Sequence, residues 1–436
     1  MTSNQESLSL IVPLTERFMS AVTGLAENTA IGMGLGAVEA IKLTLAVEEI
    51  FAYLIRISAQ GHTLSLEITN YGYYVQAKFV FTGRDLDLRL FNLAAGVSLD
   101  DEKDLGDLGL LLASRSVDDF SLFEELHQGI GLVLIKAKSY PATDDIEPPE
   151  ARPLKSYRVQ TADREQVKEF SRLLALHYPA NRLYPAGFEK PGRLADMIGG
   201  GKFGLVVAQG ERNRIGGGMI WRQGSRIVEF YGPYPFNQPP DSNMAADLIE
   251  ACINGVARTD ALGIICSYTP SSPPAGYFDT LGALDVSFGG SDRRPVPFFY
   301  RQLSEDSGVS VWAHPGLADF LAEQYGRLVL PRDVRKTRHE GERISPHSVL
   351  STTIERGLDQ ATLRPMWNGE DRAANISRHL SLLRSEHIDN LFFLLDTGLA
   401  WQADWTPVLL DQGFTPRLVI PYGGRADMVI FQHQSR

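Results

Sequence analysis

Apolar residues recur along this chain at two spacings, one typical of helices and the other typical of strands. Between 38 and 56, Leu43, Val47, Ile50 and Leu54 recur at helical spacing, which predicts a helix. Apolar and polar residues alternate at 64–69 and 74–81, and the turn-like residues between these stretches predict a hairpin. The other elements expected before residue 140 are helices at 13–27 and 105–116 and strands at 121–125 and 131–137. We therefore expect a sheet with helices on one face.

The same patterns continue beyond residue 156, and part of their order occurs twice. The predicted elements are strands at 157–159, 204–208, 217–221, 227–231 and 262–268, and helices at 163–177, 242–258 and 277–283. Thr161 or Asp163 is the expected N-cap of the first of these helices. A helix, a strand, a short helix and a glycine turn recur within 372–416, and strand-rich tails at 296–301 and 427–432 end both copies. This recurrence indicates a duplicated unit.

Stretches rich in proline and charge predict the domain boundaries. Residues 141–155 contain repeated prolines and acidic residues, which interrupt regular elements. A second break begins near residue 303, and arginine, lysine, glycine and proline punctuate 331–346. We expect an α/β protein with a first domain at 1–140, a linker at 141–155, a second domain at 156–303, a connector at 304–345 and a third, partial domain at 346–436.

The acidic balance of the chain argues against a nucleic-acid partner, since its 436 residues carry a formal net charge of -11. No apolar run approaches the roughly 18 residues that span a bilayer. The N-terminal residues lack a basic segment followed by an apolar core, so we expect a cytoplasmic protein without a membrane partner. Cys252 and Cys266 form no metal-binding pattern and are expected in the core. The basic stretch 332–339 is interpreted as a solvated linker, with phosphate binding as the alternative.

Three stretches of the first domain resemble the histidine-kinase-like ATPases, and within them the anti-sigma-factor kinases. Residues 46–49 resemble the helix that carries the general-base glutamate, with Glu49 in its place. Residues 106–110 resemble the second glycine box, and 131–135 resemble the closing strand. The resemblance implies binding of ATP or ADP, a regulatory protein partner such as an anti-sigma antagonist, and a homodimer. The residues it assigns to nucleotide binding are Glu49, Tyr53, Gly83, Asp85, Gly106, Leu108, Gly109 and Leu110.

Two positions of this domain depart from the family pattern. Tyr53 stands where the family has an asparagine that holds magnesium, and a phenol supplies no amide oxygen, which argues against magnesium binding. Phe81 stands where the family has the aspartate that binds adenine, so Asp85 would have to replace it from a shifted register. No other metal site is expected.

The second and third domains resemble GNAT acyltransferases in the order of their elements. The resemblance implies acetyl-CoA as a cofactor, with its pyrophosphate on the backbone N–H groups of a turn that includes Asn243, Met244 and Ala245. This turn contains two prolines, which lack N–H donors. Tyr277 lies one position from the family's acid tyrosine. In the second copy, Leu409 replaces that tyrosine and 369–372 is acidic, while His379, Trp401 and Trp405 are expected either in the core or around a ligand.

These patterns leave three functions open. The main interpretation is a signalling protein whose first domain binds an adenine nucleotide or a regulatory partner, with the GNAT-like domains as sensor or docking modules. The alternatives are an N-acyltransferase that uses acetyl-CoA and a serine/threonine protein kinase of the anti-sigma type. The turn with two prolines favours binding over acyl transfer, and Tyr53 disfavours phosphoryl transfer.

Overall fold

Sheets and helices build the described part of the chain, which is an α/β protein. The computed structural model describes residues 6–58, 61–82, 88–94, 113, 115–125, 129–141, 152–178, 183–224, 226–239, 242–270, 273–287, 293–338 and 344–434. Within these ranges the strands form sheets of five, seven, two and five members in chain order.

Two helices cover one face of the first sheet. Its elements are β1 (Ser7–Pro13), α1 (Met19–Gly32), α2 (Ala37–Ile57), β2 (Thr63–Asn70), β3 (Tyr74–Thr82), β4 (Asp119–Glu125) and β5 (Gly129–Ala137). The strands are antiparallel in the order β1-β2-β3-β5-β4. Val47 and Phe51 of α2 pack against Leu66 and Phe79 of the sheet, and all four are 0% exposed. The predicted helix 38–56 and the hairpin are confirmed.

The start of the chain differs from the prediction. The helix predicted at 13–27 begins only at Met19, because Ser7–Pro13 pairs with β2 as an edge strand. Most of the helix predicted at 105–116 lies outside the described residues.

A seven-stranded sheet forms the middle of the chain. Its elements are β6 (Tyr157–Thr161), α3 (Arg164–His177), α4 (Pro191–Gly199), β7 (Phe203–Gly210), β8 (Ile215–Gln223), β9 (Ile227–Pro235), α5 (Met244–Val256), β10 (Gly263–Tyr268), β11 (Asp279–Ser287) and β12 (Arg293–Gln302). The strand order is β11-β12-β10-β9-β8-β7-β6, and only β9 and β10 run parallel. The strands predicted at 157–159, 204–208, 217–221, 227–231 and 262–268 are all present in this sheet.

Two details of this unit answer specific predictions. Asp163 is the N-cap of α3, and its carboxylate accepts hydrogen bonds from the backbone N–H groups of Glu165 and Gln166. The small helix predicted at 277–283 is wrong, since residues from Asp279 onward pair with β12 as β11. The sequence analysis also missed α4.

The stretch interpreted as a connector contains regular structure. Its elements are β13 (Val309–Ala313), α6 (Pro315–Leu328) and β14 (Arg332–Lys336), and the two strands pair in parallel. The interpretation of 332–339 as a solvated linker fails at Arg332, whose side chain is 0% exposed. Its guanidinium contacts Asp427 at 2.6 Å and Asp306 at 2.7 Å, so this arginine is already held by two carboxylates.

A third unit repeats the later part of the middle one. Its elements are β15 (Val349–Glu355), β16 (Gln360–Trp367), α7 (Arg372–Ser385), β17 (Asn390–Asp396), α8 (Ala400–Ala403), α9 (Thr406–Asp411), β18 (Phe414–Ile420) and β19 (Met428–His433). Its order β15-β16-β17-β19-β18 matches β8-β9-β10-β12-β11, and β16 and β17 are its parallel pair. This match supports the predicted duplication.

Buried amide side chains join the units. Asn390 is 1% exposed, and it donates to the carbonyl of Ser287 and accepts from the N–H of the same residue. Asn92 of the first unit is 3% exposed and bonds the carbonyl of Ser348 and the N–H of Leu350 in the third unit. Because each amide satisfies backbone groups of another unit, the packing fixes how the sheets face each other.

Candidate functional site

A cavity of about 1400 Å³ lies between the sheets of the middle and third units. Its walls come from β7–β12 on one side and β16–β19 on the other, and Tyr73 and Tyr74 from the hairpin of the first domain also line it. Phe298, Phe392 and Ile430 supply part of an apolar lining. Large concave sites with an apolar lining and a few polar groups are the usual places for small-molecule binding.

Charged side chains also line this cavity. Lys202, Arg222, Arg294 and Arg364 line it together with a single carboxylate, Glu229. Glu229 lies opposite Arg222 on the neighbouring strand and accepts a hydrogen bond from its guanidinium at 2.7 Å. The Arg222 side chain is 56% exposed and that of Glu229 is 26% exposed, since both face the open space of the cavity. The pair is therefore accessible to a ligand.

Arg364 approaches this pair from the other sheet. Arg364 is exposed to the cavity, but the surrounding protein removes part of its hydration and lowers its pKa, and the charge of Arg222 lowers the pKa further, while Asp119 and Glu229 oppose both effects. Asp119 belongs to β4 of the first domain, so all three units contribute charge to this region. Burial also raises the pKa of Asp119.

A second carboxyl group lies close to Glu229. Glu355 pairs with Gln360 across β15 and β16, which places it on the face of the sheet that lines the cavity. Burial raises the pKa of Glu355, and the charge of Glu229 raises it further. Glu229 and Glu355 thus come from facing sheets and lie within electrostatic reach of each other, and we refer to them as the carboxyl pair. A carboxylate near a bound amine can accept a proton.

The predicted nucleotide site is described only in part. Glu49 is half-buried on α2, and Tyr53 is 5% exposed within the core of the first domain, with the guanidinium carbon of Arg56 5.3 Å from its ring centroid. Phe81 is 4% exposed in the same core. Gly83, Asp85, Gly106, Leu108, Gly109 and Leu110 lie outside the described residues. Tyr53 and Phe81 therefore serve packing.

The predicted acyl-CoA residues lie at the start of α5, on the face of the sheet opposite the cavity. Asn243 is the N-cap but its side chain makes no capping bond, and the N–H of Met244 bonds the Ser242 hydroxyl at 3.3 Å. Met244 is 0% exposed and Ala245 is half-buried. Asp247 occupies the first turn, where its negative charge disfavours a phosphate.

Tyr277 is separated from the cavity. Its hydroxyl donates to Glu250 of α5 at 2.7 Å, and this hydrogen bond raises the pKa of Tyr277. It packs beside Phe278, whose ring lies 4.9 Å from that of Phe230 in the core below α5. The structure does not bring Tyr277 together with Glu229.

The corresponding residues of the third unit belong to its interior. Trp405 and His379 are 0% exposed, and Trp401 packs against the same core. Asp371, at the start of α7, accepts hydrogen bonds from the N–H and hydroxyl of Ser348 at 2.7 and 2.8 Å. These bonds outweigh the effect of burial and hold the pKa of Asp371 below its usual range. The anion position of this copy already holds a carboxylate.

The charged residues of the cavity were missed by the sequence analysis. A usable signal exists in β16, where Gln360, Thr362 and Arg364 alternate with the buried Ala361 and Leu363. When one face of a strand is polar in a sheet that is covered by another sheet, that face is expected to contact water, a ligand or other polar side chains.

Other expected features concern metals, cysteines and membranes. In the described part of the chain, no group of three or more His, Cys, Asp or Glu side chains is placed to hold a metal ion. Cys252 and Cys266 are free and buried, which confirms their predicted place in the core. Among the helices with described residues, none has the length and apolar character needed to cross a membrane.

Solved acetyltransferases share low identity with this chain. An aminoglycoside 6'-acetyltransferase type Ii aligns with 34% of this chain and 98% of its own at 15% identity, with a TM-score of 0.27. A phosphinothricin acetyltransferase of the GNAT superfamily from Sinorhizobium meliloti aligns with 35% of this chain and 90% of its own at 16% identity and a TM-score of 0.29. A GCN5-related N-acetyltransferase from Kribbella flavida aligns with 93% of this chain and 90% of its own at 13% identity and a TM-score of 0.22.

No protein-family model matches the chain, and no curated protein matches it in sequence. The repeated strand order and directions are seen within the chain itself.

Proposed function

We propose that this protein is an N-acyltransferase that takes an acyl group from acetyl-CoA and holds the acceptor in the cavity between its two GNAT-like sheets. The observation that carries the proposal is the carboxyl pair formed by Glu229, which lines the cavity, and Glu355 of the facing sheet, whose pKa the charge of Glu229 raises. In acyl transfer to an amine, a nitrogen–carbon bond forms as the carbon–sulfur bond breaks, and the amine loses a proton. A carboxylate beside the amine can accept that proton.

Three residues have distinct roles in this proposal. Glu355 accepts the proton, since its raised pKa makes it a stronger base than an ordinary glutamate. Arg222 holds Glu229 through the hydrogen bond of 2.7 Å. Glu229 in turn strengthens Glu355 as a base by its negative charge. The start of α5 fits a pyrophosphate poorly, because Asp247 lies in its first turn and Pro239 precedes it, so no residue is assigned to the phosphates of the donor.

Thermal protection by acetyl-CoA tests the proposal directly. A ligand at 100 times its dissociation constant stabilises the folded state by about 2.7 kcal/mol. We expect the full-length protein to melt at a higher temperature with acetyl-CoA than with buffer alone. An unchanged melting temperature at millimolar acetyl-CoA would count against acyl transfer.

Turnover then tests the carboxyl pair. Release of free thiol from acetyl-CoA is followed with a panel of primary amines, including amino acids and phosphoethanolamine. Glu355→Gln should reduce the rate at least tenfold, while Glu165→Gln, an exposed change on α3 far from the cavity walls, should leave it unchanged. Equal rates in both variants would remove Glu355 from the reaction.

A second candidate function concerns the first domain, which we propose as a regulatory module that binds a partner protein or an adenine nucleotide. It is favoured by the apolar stripe of α2, where Val38, Ile41 and Leu45 recur at helical spacing and are 60%, 51% and 47% exposed. Exposed apolar stripes of this kind are typical of interaction surfaces. Calorimetry with ATP and ADP, with and without magnesium, tests the nucleotide. Light scattering of wild type and Ile41→Glu tests self-association, which the substitution should abolish.

A further inference from the structure

The cavity between the two GNAT-like sheets carries more positive than negative charge. Four of its lining residues are cationic, namely Lys202, Arg222, Arg294 and Arg364, and the described lining includes one carboxylate, Glu229. Glu355 and Asp119 lie near enough to affect the charges of this region. Glu229 accepts its hydrogen bond from Arg222. Among the described residues, it forms no hydrogen bond with Lys202, Arg294 or Arg364.

Arg222 and Arg364 repel each other across the cavity. They come from different sheets, β8 and β16, so no local turn or shared strand forces them together. Both side chains are exposed to the open space of the cavity, and the positive charge of Arg222 lowers the pKa of Arg364. Among the described residues, Arg364 has no hydrogen bond or ion pair of its own. Two guanidinium groups in this arrangement are stabilised when an anion lies between them.

The surroundings of these arginines define the rest of the ligand. Phe298, Phe392 and Leu394 line the same cavity, and Tyr73 and Tyr74 approach from the first domain. Planar guanidinium groups bind phosphate and carboxylate through paired hydrogen bonds. A volume of about 1400 Å³ leaves room for an apolar body beside the charged group.

We propose that the cavity binds a small molecule with a phosphate or carboxylate group between Arg222 and Arg364 and an apolar part against Phe298 and Phe392. The inference rests on the proposed function only for the role of this molecule as acyl acceptor. The binding site itself needs no acyl transfer. If the protein transfers acyl groups, this site restricts the acceptor to an amine that also carries an anionic group.

Calorimetry on the full-length protein tests the site with three probes of similar size: phenyl phosphate, 3-phenylpropionate and the neutral 3-phenylpropanol. We expect at least one anionic probe to bind and the alcohol to bind at least tenfold more weakly. The two anionic probes distinguish phosphate from carboxylate. Equal affinity for the alcohol, or no binding of either anion, would overturn the proposal.

Variants locate the binding. Arg364→Gln should weaken binding of the preferred anion at least tenfold, Arg364→Lys should retain part of it, and the exposed Arg335→Gln on β14 should leave it unchanged. Circular dichroism establishes that each variant is folded. Wild-type affinity in a folded Arg364→Gln protein would refute the site.

The outcomes also separate the two proposals. Anion binding that depends on Arg364, without thermal protection by acetyl-CoA, would support the site and refute acyl transfer. Protection by acetyl-CoA with no anion selectivity would refute the site and leave acyl transfer intact.

Discussion

Removal of the buried Arg332 should destabilise the third unit strongly. The guanidinium makes two hydrogen bonds to Asp427, at 2.6 and 3.1 Å, and one to Asp306 at 2.7 Å. The side chains of Arg332 and Asp427 are 0% exposed and that of Asp306 is 3% exposed. Arg332→Met keeps most of the volume but leaves two buried carboxylates without a cation. Loss of one partner from such a buried arrangement costs about 3–5 kcal/mol.

Chemical denaturation followed by tryptophan fluorescence measures this loss. Four of the five tryptophans lie between 312 and 405, so the signal reports mainly on β13 to α9. Arg335→Met is the matched control on the same strand, since its partner Asp333 has a side chain 64% exposed and such surface pairs contribute little. The double variant Arg332→Met/Asp427→Asn should be more stable than Arg332→Met, because it also removes the negative charge of Asp427 that the single variant leaves unpaired.

Acid provides a further test of the same reasoning. Burial alone would raise the pKa of Asp306, but hydrogen bonds from Tyr422 and Arg332 outweigh it and hold that pKa below the ordinary 3.8. A depressed carboxyl pKa stabilises the folded state above the unfolded pKa, and this contribution disappears as pH falls through the folded value. The gap in stability between wild type and Arg332→Met should therefore narrow below about pH 4. An Arg332→Met protein as stable as Arg335→Met would refute the argument.

Three other predictions concern single side chains. His379 is buried with its pKa lowered to about 4 by burial, so the folded state should lose stability as pH falls from 6.5 toward 4, and His379→Gln should remove this slope in unfolding curves. Asn92→Leu should cost about 2–3 kcal/mol and increase hydrogen exchange at the N–H of Leu350, because it leaves buried backbone groups unpaired. Asp163→Ala should cost about 1 kcal/mol in thermal unfolding by removal of the α3 cap, whereas Asp163→Asn should retain most of the stability.

The sequence analysis predicted correctly those elements that are specified by residues close to one another in the chain. The helical spacing in α2 follows the apolar face that meets the first sheet, and Asp163 caps α3 through atoms two and three residues away. The prediction failed at 279–283 because β11 is specified by its partner β12 and by its packing against the third unit. The Gln432 side chain accepts a hydrogen bond from the N–H of Asp285 and donates one to its carbonyl. The sequence around Asp285 contains no pattern that predicts these hydrogen bonds to a distant residue.

The candidate site was harder to predict for the same reason. Arg222 and Glu229 are cross-strand neighbours, but Glu355 and Arg364 reach them only because a second sheet packs over the first. The alternation of polar residues in β16 shows that one face of the strand is polar. It does not show which residues of another sheet lie opposite that face. The duplication, by contrast, was visible in sequence in part: the helix and strands of each copy recur in the same order, although the short helix predicted for the first copy is a strand.

The starts of α5 and α7 explain why an anion is expected in the cavity instead of at a helix. In the resemblance to GNAT enzymes, these helix starts are the positions that receive pyrophosphate. Here Asp247 accepts a hydrogen bond from the Tyr157 hydroxyl at 2.6 Å within the first turn of α5, and Asp371 occupies the N-cap of α7. A carboxylate at a helix start takes up the favourable interaction with the helix dipole that a phosphate would otherwise have. Arg364 and Arg294 place positive charge on the cavity walls instead. This contrast favours the proposed anion site between the sheets over a site at either helix start.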